Sequence, residues 1–166
     1  MNKDDELYLN VHNLTKIREL IANGAKPNKF ILNSYLDSCS NYNNNCKIDN
    51  IKMLINNGAE VNLDVIINAT LKLSKNKEQY EYIMDNYKNR TKKDDSLILS
   101  TACFTDDEIK YDLVRTLVDN YKIKPTEELL SRCIRYNNNM NNTKLKDKET
   151  EFNRYFYEQY RLNRKD

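Results

Sequence analysis

A twelve-residue phrase occurs twice in this chain in closely similar form, 34 residues apart, as IRELIANGAKPN at 17–28 and IKMLINNGAEVN at 51–62. A period in the low thirties is that of helical repeat arrays, in which each unit buries its core only against its neighbours. Two weaker copies follow, YEYIMDNYKNRT from Tyr80 and VRTLVDNYKIKP from Val114, so the starts fall at 17, 51, 80 and 114. What recurs is a packing unit rather than a catalytic group. The sequence therefore speaks more clearly about architecture than about a target.

Within one unit, Ile17, Leu20 and Ile21, like Ile51, Leu54 and Ile55, lie at i, i+3 and i+4 and form one apolar stripe on a helix. Asn23-Gly24 and Asn57-Gly58 then stop that helix, because glycine enters the left-handed region at little steric cost. A short turn or finger follows, and a second apolar helix begins at once. These second helices are FILNSYLDSC from Phe30, DVIINATLKL from Asp64, SLILSTACF from Ser96 and EELLSRCIRY from Glu127. Compact residues near their centres, Ser34, Ala69, Thr101 with Ala102, and Cys133, let neighbouring helices approach closely. Expected helix starts are Asp49-Asn50, Asp95-Ser96 and Thr126, each with a side-chain oxygen for unpaired N–H groups. Polar linkers are expected at 40–48, 74–78 and 104–111.

The segments 14–28 and 47–62 resemble the second helix and following finger of an ankyrin repeat, whose characteristic run has the form I-x-x-L-I-x-N-G-A-x-x-N. The resemblance weakens after residue 80, and recognisable units cover roughly residues 5 to 136. It implies an all-α, ankyrin-like helical repeat solenoid of about four units with a C-terminal capping helix. The Thr-Pro-Leu-His opening of that family's first helix is absent from every unit, so its hydrogen-bond network is replaced or missing. Units three and four carry Tyr87 and Tyr121 where the first two have Gly24 and Gly58. Asn86 and Asn120 are the expected residues to turn left-handed there instead, one position earlier.

The array is expected over residues 1–143, with a C-terminal aromatic capping helix and tail over 144–166. At the front, Leu7, Tyr8 and Val11 give 5–13 a helical stripe. At the back, Glu149 to Leu162 carries Phe152, Tyr155, Phe156 and Tyr160 at 3-to-4 spacing. The favoured reading is a cap on the last unit; the alternative is a partner-binding helix, since Tyr, Phe and Arg are enriched at interfaces.

Charge narrows the partner classes. Lys and Arg number 27 against 25 Asp and Glu, interspersed, and a formal charge of +2 is too small to argue for nucleic acid by itself. The N-terminus lacks the pattern of a secretory signal, and no stretch approaches the roughly 20 apolar residues of a membrane span. The expectation is an intracellular protein with no membrane partner. Abundant Asn, Lys, Ile and Tyr have A/T-rich codons, a bias of genomes such as those of giant DNA viruses, amoebae or parasites; a viral source would place the protein in host cytoplasm. The runs Asn43–Asn45 and Asn137–Asn139 read as loop filler. Cys39, Cys46, Cys103 and Cys133 form no Cys-x-x-Cys pair, so reduced thiols are the simpler expectation.

Few residues offer chemistry. His12 is the single histidine and lies beside no evident nucleophile. Cys103 and Cys133 fall at corresponding positions of their helices and read as packing residues. Cys39, Cys46 and His12 do not have a common zinc spacing. Two glycines 34 residues apart cannot build a phosphate loop. The acidic groups Asp4-Asp5-Glu6, Asp94-Asp95 and Asp106-Asp107-Glu108 suit helix starts, where the dipole favours negative charge. No catalytic residue, cofactor or metal is expected, and the protein reads as a non-enzyme.

The resemblance places recognition on the concave side formed by fingers and first helices. The partner-binding residues expected there are Lys26, Lys29, Glu60, Asp64, Lys92, Lys93, Lys122 and Lys124, mixed in sign early and basic later. The leading reading is an adaptor or scaffold that binds another protein through this face. The alternatives are self-assembly through the aromatic C-terminal helix and, less favoured, nucleic-acid binding by the later fingers with Tyr87, Tyr111, Tyr121 and Tyr136.

Overall fold

The computed structural model describes residues 2–11, 13–41, 46–74, 76–103, 110–129, 131 and 146–164. His12, Cys133, Tyr136, both asparagine runs, residues 42–45 of the first expected linker and most of the third lie outside them. Among the described residues all regular structure is α-helical. The chain divides into two compact units, Met1–Arg90 and Thr91–Asp166.

Among the described residues the first unit holds six helices: α1 (Lys3–Leu9), α2 (Leu14–Ala22), α3 (Ile31–Asn41), α4 (Ile48–Asn56), α5 (Leu63–Lys72) and α6 (Lys77–Asp85). Single asparagines start several of them. Asn2, Asn13 and Asn62 accept N–H bonds from Asp4, Lys16 and Val65, and Asn28 accepts from both Phe30 and Ile31. Each bond satisfies a donor that the first helical turn leaves orphaned, worth about 1 kcal/mol.

The expected start at Asp49-Asn50 is corrected: the N-cap of α4 is Lys47, which makes no side-chain cap bond, and Asn50 is buried within the helix. Its amide donates to the Tyr35 hydroxyl at 2.9 Å, which also accepts from the Lys47 backbone N–H at 3.2 Å.

Helices pair in chain order, α1 with α2, α3 with α4 and α5 with α6, while α3 packs on both α1 and α5, and α4 on α6. The 34-residue sequence period becomes a packing period. Ile31, Leu32, Tyr35 and Leu36 of α3 recur 34 positions on as Val65, Ile66, Ala69 and Thr70 of α5, all buried. Ile17 and Leu20 of α2 recur likewise as the buried Ile51 and Leu54 of α4. Each buried aliphatic side chain contributes roughly 1.5–3 kcal/mol relative to exposure.

Polar ties also join neighbouring helices of this unit. The Asn68 amide of α5 donates to Asp37 Oδ1 at 3.0 Å and to the Asn33 side-chain and backbone oxygens at 3.3 and 3.4 Å, all on α3. Thr70 donates to the Ile66 carbonyl at 2.8 Å, so the Tyr80 hydroxyl of α6 donates to Thr70 Oγ1 at 3.2 Å.

Among the described residues the second unit holds α7 (Lys92–Cys103), α8 (Lys110–Asp119) and α9 (Lys146–Asn163), and residues 127–129 are also helical. Here too a start is corrected. α7 begins one turn before Asp95-Ser96, because Thr91 and Asp94 form a reciprocal capping box: Thr91 Oγ1 accepts from the Asp94 N–H and Asp94 Oδ2 from the Thr91 N–H. Thr126 accepts from the Leu129 N–H as its sequence position implies. α7 and α8 pack together around Ile98, Leu99, Val114 and Leu117, all buried.

The aromatic stripe of α9 faces inward. Phe152 and Phe156 are buried, with Phe152 4.5 Å from the Tyr111 ring. Tyr155 donates to Asp119 at 2.6 Å, Tyr160 to Glu127 at 2.9 Å, and Arg115 pairs with Glu151 at 2.9 Å.

Candidate partner-binding fingers

Two fingers are built alike because their glycines are. The Ala25 N–H bonds to the Leu20 carbonyl and the Gly24 N–H to that of Ile21, both at 2.9 Å; Ala59 and Gly58 repeat this with Leu54 and Ile55 at 2.9 and 3.0 Å. This is a Schellman stop, with Gly24 at φ 90° and Gly58 at φ 103°. A Cβ at either glycine would meet no atom within 4 Å, so the requirement for glycine is one of backbone conformation and not of space.

The alanine after each glycine is buried and anchors the finger root, while the next residue, Lys26 or its counterpart Glu60, is exposed. The first finger is tied further to α1. Asp4 accepts from the Lys26 backbone N–H at 2.8 Å, and Lys3 Nζ donates to the Asn23 carbonyl at 3.0 Å. Asn28 then closes the finger onto α3. Phe30 stands just outside that closure, 56% exposed, with the Lys29 ammonium 5.0 Å from its ring centroid. A cation over a ring holds an exposed aromatic in one place at modest energy.

All eight residues expected at the partner face are exposed. Lys26, Lys29, Glu60 and Asp64 sit on the two fingers and the helix starts behind them, within the first unit. Lys92 and Lys93, in the second unit, stand in the first turn of α7 and not on a finger. Lys122 and Lys124 follow α8.

The later stops differ from the first two, and the expected left-handed asparagines are corrected. Asn86 is right-handed at φ −89°, ψ 0°. After α8 the left-handed residue is Lys122, at φ 57°, one position beyond Tyr121. The bonds widen accordingly, Tyr121 N–H to Thr116 O at 3.3 Å and Ile123 N–H to Leu117 O at 3.1 Å. The buried Ile123 takes the anchoring role of Ala25 and Ala59.

Sequence patterning misses the exposure of Phe30, because its apolar character places it with the buried side of the second helix. The offset is nonetheless readable: Asn28 is a cap, and the buried pattern of α5 begins at Val65, the counterpart of Ile31 rather than of Phe30.

Cys39 and Cys46 form a disulfide, with Cα atoms 5.1 Å apart, which corrects the expectation of reduced thiols for this pair. It joins the last turn of α3 to the residue ahead of the α4 N-cap Lys47, and the Cys46 carbonyl accepts from Gln79 of α6 at 3.0 Å. Sulfurs bonded to each other are not thiolate ligands. Among the described residues no group of three or more His, Cys, Asp and Glu is arranged to hold a metal ion. Cys103 is half-buried.

The perturbed phenols are donors in folded contacts, not bases. Burial pushes Tyr80 up from 10.0 to about 12. Tyr155 is raised by burial and then by its hydrogen bond to Asp119, and Tyr160 chiefly by its hydrogen bond to Glu127. All three hold their protons at neutral pH. Among the described residues no helix is long and apolar enough to cross a membrane. The chain matches no family model, no curated protein and no solved structure.

Proposed function

We propose that this protein is a non-enzymatic, ankyrin-like adaptor or scaffold, a divergent helical repeat solenoid that binds another protein through its fingers. The observation that carries the reading is Phe30 with Lys29, an exposed aromatic and its cation held on a finger whose backbone is fixed by Gly24, Asp4 and Asn28. Aromatic anchors presented on a preorganised backbone lose little conformational entropy on binding and dominate interface energies. Lys26, Glu60 and Asp64 supply the charged rim, and Lys92, Lys93, Lys122 and Lys124 supply basic contacts on the second unit.

The repeat reading is supported by the 34-residue recurrence of buried positions and by α3 packing on both α1 and α5. Cross-linking with mass spectrometry tests the function, on the wild-type protein beside Phe30→Ala/Lys29→Glu and Glu60→Lys/Asp64→Lys variants. A partner cross-linked to the fingers and lost from folded variants is the expected result. An unchanged set of cross-links in both variants overturns the finger reading.

A further inference from the structure

α9 has a second face. With Phe152 and Phe156 turned inward, the spacing of Arg154, Tyr157, Arg161 and Arg164 is three, four and three residues, which lines them along the opposite side of the helix. All four are exposed, Tyr157 at 50%, and Leu162 beside them is exposed at 63%. The row is about 15 Å long at 1.5 Å per residue. Arg164 stacks 6.0 Å from the Tyr160 ring, whereas among the described residues neither Arg154 nor Arg161 is paired with a carboxylate. The helix that displays them is itself held by Tyr155, Tyr160 and Glu151, so the row is presented on a fixed support.

We propose that this outward row docks an acidic helical segment of a partner protein. Arg154 and Arg161, seven residues apart, each have a free planar guanidinium able to take a carboxylate in two parallel hydrogen bonds, and carboxylates seven apart on a facing helix match that interval. Tyr157 and Leu162 supply the apolar contact that a helix–helix seam needs. Glu158, exposed between the two arginines, selects against a phosphate backbone running along the row, while a peptide helix can set a lysine opposite it. A second copy of this chain would bring arginine row to arginine row. The inference is independent of the finger reading, since the two surfaces share no residue.

The test uses the full chain and a labelled helix-forming peptide of about three heptads with glutamates at heptad spacing flanked by leucines, beside its glutamine counterpart. The expected result is saturable binding of the acidic peptide at low salt, weakened roughly tenfold or more in Arg154→Glu/Arg161→Glu and restored when the peptide glutamates become lysine. Tyr157→Ala weakens binding without altering the helical circular dichroism. Equal binding by wild type and the reversed variant, or no binding near about 50 mM salt, overturns the proposal. So does stronger binding of a single-stranded RNA oligonucleotide or of phosphatidylserine vesicles, or a wild-type dimer in sedimentation that the reversed variant loses.

Discussion

The buried amide of Asn50 donates to the buried hydroxyl of Tyr35 at 2.9 Å, joining α4 to α3. The same hydroxyl accepts the Lys47 N–H, the first donor ahead of a helix that has no side-chain cap. One phenol oxygen thus serves as both a cap and a core partner. Tyr35→Phe strands the buried Asn50 amide, removes the partner of the part-buried Lys47 N–H and is expected to cost about 1–3 kcal/mol. Urea denaturation measures it, and adding Asn50→Leu to the Tyr35→Phe variant should recover part of the loss.

The disulfide between Cys39 and Cys46 closes a short loop with a sequence separation of 7, and constraint of the unfolded chain by so small a loop is worth roughly 2–3 kcal/mol. Reduction, or Cys39→Ser/Cys46→Ser, is expected to lower the unfolding free energy in urea by that amount with the helical signal retained. A midpoint unchanged by dithiothreitol would show that the link contributes nothing.

Gly58 is left-handed in open space, so Gly58→Ala is expected to cost about 1 kcal/mol by conformation alone. Lys122 is the mirror case. It is a lysine at φ 57°, and Lys122→Gly is expected to be neutral to stabilising by about 0.5–1 kcal/mol. Thermal melts should show a lowered midpoint for Gly58→Ala and an unchanged or raised one for Lys122→Gly.

Stability should fall at alkaline pH. The Tyr80 hydroxyl, donating to Thr70 in the interior, is pushed by burial from 10.0 to about 12. The unfolded chain therefore gives up this proton first. The contribution is intact below about pH 10 and is lost as pH rises through about 12, by about 2–3 kcal/mol at full ionisation. Urea melts between about pH 9 and pH 12 measure the slope, which Tyr80→Phe should make shallower.

Much of the fold was legible because its signals are local. The stripes Ile17-Leu20 and Ile51-Leu54, the stops at Gly24 and Gly58 and the inward aromatics of α9 each depend on residues within a turn or two of one another. Sequence alone determined an all-helical chain with a 34-residue packing period and exposed charged residues after each glycine stop. Tertiary structure alone decided the rest. It paired Cys39 with Cys46, sent Asn50 inward to Tyr35 and set Asn68 of α5 against Asn33 and Asp37 of α3. These are through-space outcomes: a polar or aromatic side chain near a helix end has several satisfactory partners, and which one it takes depends on the helix packed beside it.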